Sequence, residues 1–590
     1  MVIPLSELQV LALDCQATGA NPQKGYLLEI GWIKTSAAAA FKTESLQARS
    51  FLVRWPQDLE IPAAVQRITG ITNADAGQAL PAADIWQKLI QTACGIAAAD
   101  QMDTCPTIIH YARFEKPFLK YLYAQELQPE HFPFRIICTH EIARRLLAGL
   151  PRRGLRAVAG YFGHAVSQQR RSADHAVGTA VIWQNFVRQL ATEHGISRLD
   201  QLTDWLKLTT PERRIRRIYP MRRELRVNLP DKPGIYHMRR SNGDLLYIGK
   251  ATSLKQRVNS YFRQKGSHAE HTLEMLSQAA KLNILQTGSA LEAALLESDE
   301  IKRHCPPYNV ALQKGQRQLV FYSRDLRKCA VQPDKTHCLG PLPDGKTTAA
   351  MTAFGKWHAH SRLVAGNDLL NIGYAILNMP EAYVPDQDCL AAGLTLFCSK
   401  HQTRLRQPCP LRSLTGLGRD LWYQRLKALE NNQLQEAGET DTESQLDQSS
   451  EPGKAPGWTP GAVARAIEKL AMRSAHLIRR SRWLCLLSES ALAWEARDSK
   501  SRSKIVLLLE NGAVCHRQQL PLEKETPLSP GYAKRMAQRQ QTLDLTAYER
   551  LRVLSTELRR LVAEDRQIEI RLNPNTVLSR KHLARILPWV

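Results

Sequence analysis

Short apolar runs alternate along the first 190 residues with segments of helical spacing. Leu8–Asp14, Leu27–Lys34 and Arg49–Trp55 read as three strands, the first two separated by the loop Gly19–Gly25. Thr107–His110 and Arg135–Cys138 read as later strands, while Glu141–Leu147, Leu155–Phe162 and His175–Leu190 carry apolar residues at helical intervals. The alternation predicts a mixed α/β domain over residues 1–205. A smaller α/β domain is expected over 227–325. There, two short strands flank the turn-rich Ser241-Asn242-Gly243-Asp244, an amphipathic helix begins at Ser253, and SALEAALLESDEIKRH forms a second helix.

Farther along, the pattern changes twice. Residues 326–430 are irregular and bear cysteines. Residues 431–460 are acidic, polar and nearly free of large apolar groups, so they read as a disordered linker. Residues 461–590 predict an α+β domain, with a helix over Val463–Leu477 and strands over Trp483–Ala496 and Ile505–Pro521. The second strand turns at Asn511-Gly512, and a closing IEIRL strand precedes a short terminal helix. The chain is thus expected to be an α/β multidomain protein, too long at 590 residues for one core.

Charge narrows the partners. Eighty Lys plus Arg against 56 Asp plus Glu give a formal net charge of +24 and a pI near 9.6. A polyanion such as DNA is the expected partner, with a cationic but otherwise ordinary enzyme as the alternative. The connector at 206–226 concentrates this charge, with Arg213, Arg214, Arg216, Arg217, Arg222 and Arg223 around Pro220. These are candidate phosphate contacts, because a guanidinium fork binds phosphate oxygens bidentately, and equally a solvated face. No apolar run approaches the roughly 18–20 residues needed to span a bilayer. The N-terminus shows no signal-peptide pattern, and the 12 cysteines are scattered, so a cytoplasmic protein with no membrane partner is expected.

The stretch KPGIYHMRRSNGDLLYIGKATSLKQRVNSYF carries Gly234-Ile235-Tyr236 and Tyr247-Ile248-Gly249, with Arg257 ten residues after Tyr247. Glu297 follows on a helix, and Tyr308-Asn309 follow a proline-stopped turn. This closely resembles the GIY-YIG endonuclease domain of UvrC, and of its shorter homologue Cho, over roughly 80 residues. The resemblance implies a single Mg²⁺ or Mn²⁺ held by Glu297, Arg257 on the scissile phosphate and Tyr247 as general base. It also implies that Tyr236 positions the nucleophile or phosphate, that Asn309 anchors the site, and that Lys250 is a further phosphate contact. A hard divalent cation on one carboxylate suits phosphodiester hydrolysis. In isolation each residue has a plainer reading, the tyrosines as half-buried strand aromatics and Glu297 as a solvated helix residue. The implied activity is one metal-dependent incision in DNA, 3′ to a lesion, with a UvrB-like damage-recognition helicase as loading partner.

Residues 10–190 resemble the DnaQ-like 3′–5′ exonucleases, whose fold is RNase H-like. The matching segments are VLALDCQATG, LLEIGW, IPAAVQRITGIT, IIHYARFEKPFL and DHAVGTA. That family holds two metal ions with four carboxylates and uses a histidine base. Here Asp14 is present, but Gln16 and Glu115 replace the next two carboxylate positions, and Arg170 and His175 stand where a histidine and an aspartate belong. Asp174 is a substitute in a shifted register. Two adjacent cations need several negative charges to offset their repulsion. A degenerate site is therefore expected, the domain serving to hold DNA.

Cys329, Cys338, Cys389, Cys398 and Cys409, near His337 and His401, contain no CxxC pair. They read first as small core residues and second as ligands of a metal or cluster. The basic segment RSAHLIRRSRW (473–483) fits a phosphate backbone or a snorkelling helix end equally. Two rival functions stand beside the endonuclease: a working exonuclease with the GIY-YIG domain as accessory, and a non-catalytic repair scaffold.

Overall fold

The computed structural model describes residues 3–38, 48–125, 131–208, 216–263, 268–309, 318–343, 345–360, 377, 385–401, 410–433, 458–496, 503–532, 543–564 and 567–587. They fall into two compact units, Met1–Gln313 and Lys314–Val590.

The first unit opens with β1 (Val10–Ala17), β2 (Leu27–Thr35), β3 (Arg49–Leu52), β4 (Cys105–Ile109) and β5 (Phe134–Cys138), in the sheet order β3-β2-β1-β4-β5. β1 runs antiparallel to β2 and parallel to β4. All five expected strands are present within a few residues of their expected bounds. The near-continuous apolar run of β1 follows from burial on both faces. Val10 and Ala12 enter one core with Trp183 and Phe186 of the Ser172–His194 helix, while Leu11, Leu13 and Cys15 enter another with Trp86 and Phe118.

The unit continues with β6 (Gly234–Arg239), β7 (Leu245–Ala251) and β8 (Lys281–Gln286), in the order β7-β6-β8. The Leu254–Ser260 helix is capped by Ser253, whose side chain accepts from the Gln256 N–H at 3.1 Å, and the Ala290–His304 helix is capped likewise by Ser289. The connector is more than a solvated charge run. Ile218 donates its N–H to Gly149 O at 2.8 Å, and Met221 is buried in the core of the β6–β8 domain. Arg216, Arg222 and Arg223 are exposed and Arg217 is half-buried, whereas Arg213 and Arg214 lie outside the described residues.

The two domains of this unit share polar contacts. Arg156, on the Leu155–Tyr161 helix, pairs with Glu274 at 2.9 Å and lies 5.5 Å from the Tyr308 ring centroid. The Tyr308 hydroxyl donates to Glu274 at 2.6 Å. Arg152 pairs with Glu270, and Asn242 donates to Gly163 O at 2.7 Å. Gly160 permits the approach, since a Cβ there would meet the Gln278 side chain at 1.9 Å.

The second unit contains β9 (Leu319–Ser323), β10 (Cys329–Ala330) and β11 (His337–Pro343) in one sheet. A second sheet has the order β14-β13-β12-β15-β16, built from β12 (Ala491–Glu495), β13 (Ser503–Glu510), β14 (Ala513–Pro521), β15 (Ile568–Asn573) and β16 (Thr576–Ser579). The stretch expected to be irregular contributes the helices Lys346–His360, Gln387–Lys400 and Pro410–Gln433. Val320, Phe354, Phe397 and Leu414 share one core with Val463, Ile467 and Ile478, so packing runs continuously across the expected boundary at 461. The expected strand from Trp483 is helical to Leu487, because the Pro460–Leu487 helix buries Trp483, Leu484 and Leu487. The Asn511-Gly512 turn is as expected, both residues having positive φ. Most of the expected linker, 434–457, lies outside the described residues.

Candidate functional site

The Tyr236 and Tyr247 strands are adjacent, and Tyr236 sits directly across from Gly249. A Cβ at Gly249 would lie 2.4 Å from the Tyr236 ring and hydroxyl. The glycine of the second motif thus makes room for the tyrosine of the first. Tyr236 is fully buried, Tyr247 is half-buried, and their ring centroids are 6.1 Å apart.

Tyr261 completes the cluster. Its hydroxyl is 2.9 Å from that of Tyr236 and accepts from Arg257 at 3.3 Å, with the guanidinium 5.0 Å from the ring centroid. The sequence reading passed over Tyr261, although it stands one helical turn beyond Arg257, where i and i+4 side chains meet. Glu297 accepts the Lys250 N–H at 2.8 Å on Oε1, with Lys250 Nζ 3.8 Å from Oε2. Asn309 closes the site from behind, its side chain accepting from Ile248 N at 2.9 Å and donating to Ile248 O at 2.8 Å. All five expected catalytic residues and Lys250 therefore lie around the paired strands.

Burial first, then the neighbouring hydroxyl of Tyr261 and the Glu297 carboxylate, raise the Tyr247 phenol above its ordinary range, while Arg257 opposes the rise. Burial likewise raises Tyr236. The phenol proposed as a base is therefore held protonated by its surroundings, and cationic charge beside it is what would release the proton. Glu297 is a fixed, half-buried carboxylate with a hard oxygen donor, which suits Mg²⁺ or Mn²⁺. Among the described residues, no three His, Cys, Asp or Glu gather as a metal-binding group. That includes the described cysteines of the 326–430 stretch; Cys409 lies outside. His337 pairs instead with Asp334 at 2.9 Å and His401 with Glu468 at 2.8 Å.

In the other domain, Glu29 clamps the start of the Ser172–His194 helix, accepting Ser172 N–H at 2.7 Å and pairing with Arg171 at 2.7 Å. Gly31 lets that helix lie against the sheet, since a Cβ there would meet Ser172 backbone at 2.8 Å. His175 is thereby brought to Asp14, Nδ1 to Oδ1 3.2 Å. Gln16 donates to the other Asp14 oxygen at 2.7 Å. Glu115 shares the cleft, and burial followed by the Asp14 charge raises its carboxyl well above the carboxylate range. Glu115 Oε2 is buried without a hydrogen-bond partner, so one cation could be met by Glu115 and Asp14. A pair of cations is not matched by these two carboxylates, the third in the cleft, Glu274, being paired with Arg156 at 2.9 Å.

Arg170 lies exposed at the rim, its N–H bonded to Ile68 O at 2.8 Å. Asp174 is not among the residues that line the cleft, and its carboxylate instead accepts Ser167 N–H at 2.8 Å. Sequence reading also missed Arg156 and Glu274, which line this cleft of about 620 Å³.

Comparison with known proteins agrees with both halves. Residues 232–310 match the UvrC-like GIY-YIG domain family, and residues 11–176 match the family described as Exonuclease. A Mycobacterium tuberculosis protein named as a bifunctional exonuclease/endonuclease is 28% identical over 314 residues, 52% of this chain and 45% of that protein. UvrABC system protein C of a Psychrobacter species is 48% identical over 98 residues, 16% of each chain. The chain thus spans less than half the length of these relatives. The crystal structure of the GIY-YIG N-terminal endonuclease domain of UvrC from Thermotoga maritima, bound to magnesium, is 31% identical. It is covered in full by 15% of this chain, with a TM-score of 0.14. The chain therefore carries, in order, a domain that matches the exonuclease family and a domain that matches the UvrC-like GIY-YIG family.

Proposed function

We propose that this protein is a structure- or damage-directed DNA endonuclease of the excision-repair type, acting in the cytoplasm and making a single incision on the 3′ side of its target. The observation that carries the reading is the gathering of Tyr236, Tyr247, Arg257, Tyr261 and Glu297 around one pair of strands.

Glu297 would hold Mg²⁺ or Mn²⁺, which when bound supplies charge neutralisation at the phosphoryl oxygens and the leaving oxygen. Arg257, braced by Tyr261, takes the scissile phosphate, and Lys250 and the exposed connector arginines Arg216, Arg222 and Arg223 hold flanking phosphates. Tyr247 would act as the base only as its phenolate. The Arg257 charge, with a cation held by Glu297, would offset the burial that keeps the phenol protonated, and the phenolate would then take the proton of the attacking water. Tyr236 and Asn309 hold the strands in place. The exonuclease-like domain binds DNA without cutting it, since its cleft offers a metal Asp14 and Glu115 alone, where a two-metal site needs more. The third carboxylate there, Glu274, is paired with Arg156. A UvrB-like helicase delivers the protein to damage.

A second reading, a working 3′–5′ exonuclease, is favoured by the convergence of Asp14, Glu115 and His175 in one cleft. Nicking of end-labelled intact, bubbled and lesion-bearing duplexes in Mg²⁺ or Mn²⁺, with and without a UvrB-type loader, separates the two. We expect a discrete nick abolished by Glu297→Ala and retained by Asp14→Ala. A ladder from the 3′ end, lost only in Asp14→Ala, would replace the endonuclease reading with the exonuclease. No cleavage on any substrate would leave a scaffold.

A further inference from the structure

A cavity of about 550 Å³ lies in the second unit between the Pro410–Gln433 and Pro460–Leu487 helices. Its origin is visible in the sequence. At Gly418 the helices touch, since a Cβ there would lie 2.1 Å from Ala471 O. One residue pair away, at Gly416, a Cβ would meet nothing within 4 Å, so the groove opens beside the crossing. The Trp422 and His476 rings line it nearly parallel, at an interplanar angle of 18° with centroids 5.9 Å apart. Arg419, Arg479 and Arg482 surround them, and Arg419 and Arg482 are exposed.

We propose that this cavity binds a single-stranded DNA segment, an unpaired base lying against Trp422 and His476 and its flanking phosphates meeting the three arginines. Flat aromatic faces within a cationic groove take single strands through stacking and phosphate contact together. The volume falls in the range that holds a nucleotide-sized group, roughly 300–1,000 Å³. An acidic peptide would use the arginines but leave the aromatic platform without a role. Five residues of the cavity wall, Ala475, His476, Ile478, Arg479 and Arg482, come from the basic segment 473–483, and the inference does not depend on incision by the GIY-YIG domain.

The test uses the full chain in EDTA, so that no strand is cut. A short oligodeoxythymidylate carrying one 5-iododeoxyuridine is photo-crosslinked and the modified peptides are mapped, and affinity is measured by fluorescence anisotropy. Gly416→Leu, whose Cβ would meet nothing within 4 Å, should fill part of the cavity, and Arg482→Glu should reverse the charge at one of its three arginines. Each is expected to remove crosslinks at Trp422 and His476 and to weaken single-strand affinity about tenfold. Gly416→Leu should not lower the melting temperature, because leucine is the better helix former. Should Gly416→Leu misfold, Arg482→Glu alone decides the question. Crosslinks confined to residues 1–313, with both variants binding as wild type, would overturn the proposal. Thymidine monophosphate abolishing the crosslink at concentrations equal to the DNA would also overturn it, by marking a free-nucleotide pocket. A stronger crosslink to the RNA counterpart would overturn the DNA assignment.

Discussion

Tyr236 and Tyr261, 25 residues apart in sequence, share a hydrogen bond of 2.9 Å between their hydroxyls. Arg257 donates to the same Tyr261 oxygen, so the motif tyrosine and the arginine proposed to take the scissile phosphate are held by one group. Tyr261→Phe should leave the fold intact and slow single-turnover nicking about tenfold to hundredfold, by loosening both partners. Combined with Tyr236→Phe, the loss should be smaller than the product of the two single losses, because both changes break the same bond. Independent, multiplicative losses would show that the bridge does not organise the site.

Asn309 imitates a neighbouring strand, meeting both backbone groups of Ile248 through one amide. Asn309→Ala would leave the buried Ile248 N–H and C=O without these partners, at a cost of about 1–3 kcal/mol for each group. The unfolding transition of the GIY-YIG domain should move to lower denaturant. Asn309→Asp keeps one acceptor and adds charge, and should recover neither stability nor nicking. A transition unchanged in Asn309→Ala would remove the anchoring role.

Gln16 donates to Asp14, so the amide fits where a carboxylate would repel. In the absence of metal, Gln16→Glu should lower the melting temperature, since three acidic groups then crowd the cleft with Asp14 and Glu115. Added Mn²⁺ should restore the loss and raise the melting temperature of the variant more than that of wild type. Gain of 3′–5′ digestion in Gln16→Glu would show how far the cleft stands from activity. An equal Mn²⁺ response in both proteins would mean that charge at this position does not govern binding.

His110 is buried, with its ring nitrogens 3.0 Å from Thr139 Oγ1 and 2.9 Å from Arg153 O. Burial, aided by the charges of His140 and His175, depresses it from 6.5 to about 3. Below pH 6.5 the unfolded chain therefore binds a proton that the folded chain refuses. Stability from this group is complete above 6.5 and is lost as pH falls from there toward 3, at about 1.4 kcal/mol per unit. His110→Gln cannot titrate, and its melting temperature should fall less than that of wild type between pH 7 and pH 5. Parallel curves would place the acid sensitivity elsewhere.

Much of this was legible where glycine, tyrosine and chain reversals fix the backbone. The expected hairpin at Ser241–Asp244 and the Ser253 cap are where the residues placed them, because each is set by local chemistry. β8 carries a weak sequence signal, since KLNILQ pairs with β6 while all six of its residues stay exposed or half-exposed, only Leu282 and Ile284 turning to the core. Trp483–Leu487 was read as strand, and only its packing, with Trp483 donating to Ser555 at 3.2 Å, holds it in the long helix. Arg156 and Glu274 carry no motif, and their roles arise from partners distant in sequence. Tyr261 shows in its spacing only the i+4 approach to Arg257 and not its bond to Tyr236.

The contact between Arg156 and Glu274 bears on how such chains could be recombined. Glu274 belongs to the GIY-YIG domain yet lines the cleft of its neighbour, and the same carboxylate holds the hydroxyl of Tyr308, which precedes Asn309 in the chain. The two domains are therefore not interchangeable cassettes. Splicing a foreign exonuclease domain onto residues 227–313 would strip Glu274 of its cation and redraw one side of the cleft. An unmatched graft should bind DNA more weakly than the parent, and an arginine restored opposite Glu274 should recover part of that loss.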